Sequence, residues 1–430
     1  MALRLHRPRR PVALLGAAAL AASLVAAIPE RADAALACRI AVTTKLDKTE
    51  TFAGQGVAKY YSATAKGKAV GQFDSSANVI MTTLPVGTYP SLVHTPIGER
   101  TGVGAMTQDQ APEALASING DFFITPDIRY ANDVEMVRGP MVRDGEIIRA
   151  FHKRQRVVGV DQALQPFGGM FSVDGFVKAD VVGAQRIAVR SVNWHTLPGG
   201  GVSLYTPDWS RLTRGDGKAS SPRPAGVVEW VLDRGDVITA VRNPTKNAGK
   251  RGDPVEPRTT VVAFSKNTAD QAAEVPVGTS VRVAPQQSTD TGATLLTGVG
   301  RGLPVIEDGK PAPLGCAAYA VTPSAKSSRP RTFVGWDDKD RWRTFTVPGS
   351  KLERIDGVLL RTGGFGLASA ANIAESLGMT YAYELDGGGS TTMWTRTKSN
   401  WKRKDLYQVA NPTGCECERW MANGLAFVRP

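Results

Sequence analysis

Apolar and polar residues alternate at period two along most of the chain. Val228, Trp230 and Leu232 occupy every second position, the spacing of side chains on one face of a strand. An Arg234-Gly235 turn separates them from a second alternating run over 236–241, and the runs 186–189 and 281–283 read the same way. Glycine and proline, 45 and 27 of the 430 residues, are spread throughout, which cuts the chain into many short strands and turns. Helical spacing is rare. Leu367, Ala370, Ala371, Ala374 and Leu377 share one helical face, with Ser369 as N-cap and Gly378 as the stop. A second, shorter helix is predicted from Asp109 as cap, with Pro112 and Glu113 in its first turn, to about Ala116. The pattern predicts an α+β protein: a strand-rich mixed sheet core with a few packed helices.

The segments 243–258 and 312–329 read as exposed polar loops, and no internal repeat is visible. Residues 35–105 are less patterned and read as the first strands of the main fold that fills 106–430. Residues 1–34 have a different character. Arg4, Arg7, Arg9 and Arg10 precede an apolar run from Val12 to Ile28, and Ala32-Asp33-Ala34 supplies a small-x-small cleavage pattern. This is the layout of a secretory signal peptide. The apolar run is shorter than the roughly 20 residues a spanning helix needs, so no stable membrane span is expected after cleavage. The surroundings of Arg9-Arg10 fit a twin-arginine signal poorly.

Charge and cysteine content narrow the setting. Cleavage after Ala34 removes five arginines and two acids from a chain of net charge +12, leaving +9. An exported basic protein favours anionic partners such as phosphorylated glycans. Its basic residues are scattered, without the stripe of a nucleic-acid binder. All four cysteines, Cys38, Cys316, Cys415 and Cys417, lie beyond the signal, and an oxidising compartment predicts two disulfides. Cys415 and Cys417 are too close to pair with each other, so each is expected to reach one of the other two and tie down the C-terminus. No CxxC spacing favours zinc, and His94, His152 and His195 alone remain for histidine chemistry.

Two segments place polar groups directly after buried-looking strands. In 116–123, an apolar approach delivers Asn119, a glycine and Asp121 before Phe122 and Phe123. In 381–393, Leu385 is flanked by Glu384 and Asp386, which share the opposite face at period two, and Gly387, Gly388 and Gly389 follow with Ser390 and Thr391. Three glycines let main-chain N–H groups approach an anion. Carboxylates beside such a turn suit cleavage of a sugar–phosphate linkage, because the loop holds phosphoryl oxygens while the acids act as acid, base or nucleophile. The competing structural reading is a glycine turn whose aspartate caps its own backbone. Neither GxxxxGK[ST] nor GxGxxG is present there.

From about Thr101 to Val428 the sequence resembles the phosphodiester glycosidase family. The likeness rests on 118–123, 137–145, 204–209, 300–309, 329–335, 385–393 and 419–425, in that order; the NGDFF and DGGGS segments carry most of it. The resemblance implies an exported hydrolase of glycosyl phosphodiesters, with Asp386 and either Glu384 or Asp121 as carboxylates. It further implies Arg331 and the glycine amides on phosphate, Asn119 as a substrate-binding or loop-orienting amide, and Ser390, Thr391 and Arg419 on substrate. Glu384 stands where the family often has asparagine. No cofactor is expected, and no metal, although Asp121, Glu384 and Asp386 could hold calcium if the fold gathered them. Trp394 is the tryptophan best placed to stack on a sugar. Two rivals remain: a glycoside hydrolase acting on a phosphate-free cell-wall polymer, and a non-catalytic envelope glycan-binding protein.

Overall fold

The computed structural model describes residues 40–66, 75–123, 136–194, 197, 199–209, 228–242, 255–300, 302–312, 328–348, 351–355, 358–397, 400–406, 409–410, 416–417 and 420–430. The signal segment 1–34, Cys38, Cys316, Cys415, the Cys417 side chain, Arg419 and His195 lie outside the described residues, as do the loop residues 243–254 and 313–327.

Strands dominate, and the described ones form sheets of eight, eleven, five and four strands. Two of these sheets make the site. In the eight-stranded sheet, Ala41–Phe52, Gly56–Lys66 and Ser75–Thr83 run antiparallel from one edge. They continue through Trp342–Val347 and Arg331–Trp336 to Tyr381–Glu384 and Leu303–Glu307. The chain before residue 105 therefore supplies strands to the same sheet as residues 331–384. In the five-stranded sheet, Ala116–Asn119 is central. Thr392–Thr397 pairs with one of its sides and the C-terminal Asn423–Val428 with the other, and Tyr89–His94 closes that end.

The strands at 187–192, 228–232, 238–242 and 281–289 belong to the eleven-stranded sheet. Val228, Trp230 and Leu232 are buried there, and the Trp230 indole N–H donates to Ala272 O at 2.9 Å. The turn before Ile238 is built by Asp233, whose carboxylate accepts the N–H groups of Gly235 and Val237.

Helix α1, Val103–Gln110, differs from the sequence expectation. The helix ends where one was expected to begin, and Ala116–Asn119 is a strand. Asp109 is exposed in the last turn and caps nothing, while Val103 and Met106 bury the inner face. The physical reason is tertiary. Residues 116–119 are fully buried and take a ladder partner on each side, which outweighs a marginal local helix preference. Helix α2 is the short Ala269–Ala273. Helix α3, Leu367–Ser376, buries Leu367, Ala370, Ala371 and Ala374 against the eight-stranded sheet. Its N-cap is Gly366, and Ser369 lies buried inside the first turn. Gly378 ends it at φ +91°, with Met379 N–H reaching back to Ala374 O at 3.1 Å.

The eight- and five-stranded sheets meet behind the site. Met393 is fully buried, and its sulfur accepts from the hydroxyls of Thr82, Thr344 and Thr346 at 3.4, 3.6 and 3.5 Å. Sulfur is a weak acceptor, so these contacts position the strand more than they stabilise it.

Candidate active site

The turn after Tyr381–Glu384 is held by two segments distant in sequence, 119–120 and 330–332. Leu385 is buried, and its N–H donates to Thr332 O at 2.9 Å. Asp386 N–H donates to Gly120 O at 3.0 Å, and Asn119 Nδ2 donates to Asp386 O at 2.7 Å. The peptide units on both sides of the Asp386 Cα are thus fixed by the Asn119-Gly120 corner. Asn119 is completely buried, and its Oδ1 accepts from Thr332 Oγ1 at 2.8 Å and from Thr392 N–H at 3.1 Å. One amide therefore joins the strand ends of both sheets. Its side-chain amide holds the turn through these three bonds.

Asp386 is half-buried, and its Oδ1 accepts the N–H of Gly387 at 2.9 Å. Gly388 has φ +61° and donates to Pro330 O at 3.0 Å. A side chain at that φ would be strained. Ser390 N–H and Thr391 N–H close a short 3-10 turn on Gly387 O and Gly388 O. Of the three glycine amides expected to cradle an anion, those of Gly387 and Gly388 are engaged within the turn. Ser390 and Thr391 are both buried.

Asp121 follows the same corner. It is 1% exposed; its Oδ2 accepts from Gly139 N–H at 2.6 Å, and its own N–H donates to Asn423 Oδ1 at 3.0 Å. A Cβ on Gly139 would lie 2.5 Å from Asp121 Oδ2 and 2.7 Å from Gly300 Cα, so only glycine lets these loops converge. Asn423 is completely buried and also accepts Gly120 N–H on its backbone oxygen at 3.1 Å. Sequence reasoning passed over Asn423, whose role depends on a strand pairing more than 300 residues apart.

Arg331 and Glu384, both expected on the substrate, are placed on each other. Arg331 Nη1 donates to Glu384 Oε1 at 2.6 Å, and their side chains are 0% and 7% exposed. Arg331 Nε donates to Phe365 O at 3.2 Å. Glu384 thus turns to the arginine of the neighbouring strand. Among the described residues no three His, Cys, Asp or Glu side chains gather as a metal site, so the arrangement considered for calcium does not form from these carboxylates. Trp394 is half-buried, and its ring lies 2.7 Å from where a Cβ on Gly104 would stand. That ring face packs on α1.

Arg329 completes the cluster, and sequence reasoning missed it. Burial pushes its guanidinium below the usual arginine range, and the like charge of Arg331 pushes the same way. Glu384 and Asp386 oppose both effects. The available signal was Arg329-Pro330-Arg331: two arginines at period two, of which the reading took one.

Residues 228–428 match the family model described as phosphodiester glycosidase. That span holds Arg329, Arg331, Glu384 and Asp386 but not Asn119 or Asp121. No curated protein sequence matches the chain. Among solved structures, the chain is similar to a hypothetical protein from Synechocystis, at 17% identity and TM-score 0.62, over 91% of this chain and 68% of that one. It is also similar to a Burkholderia pseudomallei protein assigned as exported, at 17% identity and TM-score 0.59, over 92% and 88%. A zebrafish N-acetylglucosamine-1-phosphodiester alpha-N-acetylglucosaminidase catalytic domain, auto-inhibited by its pro-peptide, aligns at 12% identity and TM-score 0.44, over 90% and 88%. The first two establish a shared fold.

Proposed function

We propose, from the premise that this chain belongs to the phosphodiester glycosidase family, that it is an exported hydrolase cleaving the glycosidic bond of a sugar-1-phosphodiester in a surface or extracellular glycan. The observation that carries the reading is the seating of Asp386. Its backbone is clamped on both sides by the Asn119-Gly120 corner, and the half-buried residue lies within electrostatic reach of Arg329. A group so fixed meets the positional demand on an acid, base or nucleophile.

Asp121 is the second carboxylate of the proposal. The Gly120 O to Asp386 N–H bond brings its turn alongside Asp386, and the Arg331 contact occupies Glu384. Arg331 and Glu384 then act as positioning residues beneath the turn. Export is supported by the pattern of residues 1–34. Among the described residues, no helix is long and apolar enough to cross a membrane. Engagement of the Gly387 and Gly388 amides inside the turn favours a second reading, a hydrolase of phosphate-free glycosides, unless another group supplies the charge for phosphate.

The test is a panel of matched substrates, each sugar offered as a 1-phosphodiester and as a neutral glycoside. The proposal expects turnover of at least one phosphodiester. It also expects Asp386→Asn to lower turnover by about 10²-fold or more, the scale of losing a positioned proton-transfer group, while leaving the fold intact. Near-normal turnover by a folded Asp386→Asn protein would remove Asp386 from the chemistry. Hydrolysis of neutral glycosides alone would install the second reading.

A further inference from the structure

We infer that Arg329, not Arg331, is the residue that grips the phosphoryl oxygens of the substrate; the inference rests on the phosphodiester reading above. A phosphodiester approaching Asp386 carries the same sign of charge as that carboxylate, so binding requires a cation beside it. Three candidates for that charge or its equivalent were legible in the sequence: the glycine amides, Arg331 and Arg419. Arg419 lies outside the described residues. The amides of Gly387 and Gly388 donate to Asp386 Oδ1 and Pro330 O. Arg331 is fully buried, with Nη1 on Glu384 and Nε on Phe365 O.

Arg329 differs from Arg331 in each of these respects. It is half-buried rather than sealed, so its guanidinium keeps an approach from solvent. Its Nε is buried and has no hydrogen-bond partner among the described residues. A buried donor of this kind costs free energy until an acceptor arrives. The backbone is rigidly placed: Arg329 and Phe365 form an antiparallel bridge, with N–H to O distances of 3.5 and 3.3 Å. The next carbonyl, that of Pro330, receives Gly388 N–H. The root of the Arg329 side chain is therefore fixed directly to the turn that carries Asp386, and its charge is felt together with that of Asp386.

The neighbouring charges explain why two arginines are needed. Glu384 neutralises Arg331, and the pair forms a buried floor. Arg329 feels the like charge of Arg331, a cost that an arriving anion relieves. A planar guanidinium can offer two parallel N–H groups to two phosphoryl oxygens. Substrate would thus be held with phosphate on Arg329 and its glycosidic bond over Asp386.

The experiment compares wild type with Arg329→Gln and Arg329→Lys in two measurements: kcat/KM on the matched phosphodiester and neutral glycoside, and calorimetric binding of inorganic phosphate. Loss of a charge-assisted contact predicts that Arg329→Gln lowers the phosphodiester-to-glycoside ratio of kcat/KM by roughly 30- to 100-fold, mainly through KM. Phosphate binding should weaken in step. Arg329→Lys, with charge kept and the fork lost, should fall between. Thermal unfolding reports whether the glutamine variant is folded; if it is not, the lysine variant decides. An unchanged ratio and unchanged phosphate binding in a folded variant overturn the inference while leaving the phosphodiester reading standing. A wild-type protein that turns over neutral glycosides only, and binds no phosphate, overturns both.

Discussion

Removing the Glu384 carboxylate isolates the ion pair under the site. In Glu384→Ala, Arg331 keeps its Nε bond to Phe365 O but loses the 2.6 Å partner of Nη1, and the guanidinium has no solvent exposure to compensate. With charge centres roughly 4 Å apart and an effective dielectric of about 20, the lost attraction is about 4 kcal/mol. That agrees with the cost of about 3–5 kcal/mol for breaking buried pairs by removing one partner. Arg329 adds to the penalty, because Arg331 is then left facing a like charge. Removing both charges, as in Arg331→Met with Glu384→Leu, should restore most of the loss, since the desolvation cost disappears with the attraction. Urea unfolding followed by fluorescence of the eight tryptophans measures wild type and both variants. The reasoning fails if Glu384→Ala loses less than about 1 kcal/mol, or if the double variant is less stable than Glu384→Ala.

Asp337 organises the turn between two strands of the same sheet. It accepts Lys339 and Arg341 N–H groups at 3.0 Å each, and the Arg341 and Arg343 guanidiniums at 2.9 to 3.1 Å. Burial alone would raise its pKa, but these bonds outweigh burial and lower it. Its contribution should be fully present above the unfolded value of about 3.9 and be lost as pH falls through the lower folded value. Unfolding midpoints of wild type and Asp337→Asn should therefore converge below about pH 4; a constant difference across pH would count against the assignment. A Cβ at Gly159 would lie 1.9 Å from Thr297 O, on a strand paired with its own. Gly159→Ala should cost about 1–3 kcal/mol by denaturant titration, and an unchanged midpoint would refute this. Mass spectrometry of the exported protein should find a mature N-terminus near Ala35; an intact Met1 on a cytoplasmic protein would argue against export.

Period-two alternation identified the strands around 228–232, 187–192 and 281–289, where Val228, Trp230, Leu232, Val189 and Val281 are buried, because the spacing of apolar residues is a local property of the sequence. The Leu367–Ser376 helix was legible for the same reason at its own period. Likewise the Asp386 turn announced itself: three glycines after a buried strand need a special backbone, and Gly388 at φ +61° uses it. Partnership is a different kind of fact. Whether Glu384 faces a substrate or an arginine depends on Arg331, 53 residues away on a neighbouring strand. Asn119 reaches Thr332 and Asp386, 213 and 267 residues distant, and no local pattern encodes such contacts. The segment 109–116 failed as a helix because its continuation was taken into the middle of a sheet by strands whose paired residues lie 275–279 and 305–311 positions away. Periodicity determined which faces are buried, through the local geometry of the backbone. Tertiary structure alone decided which buried charges meet, because attraction between charges acts across space and takes no account of distance along the chain.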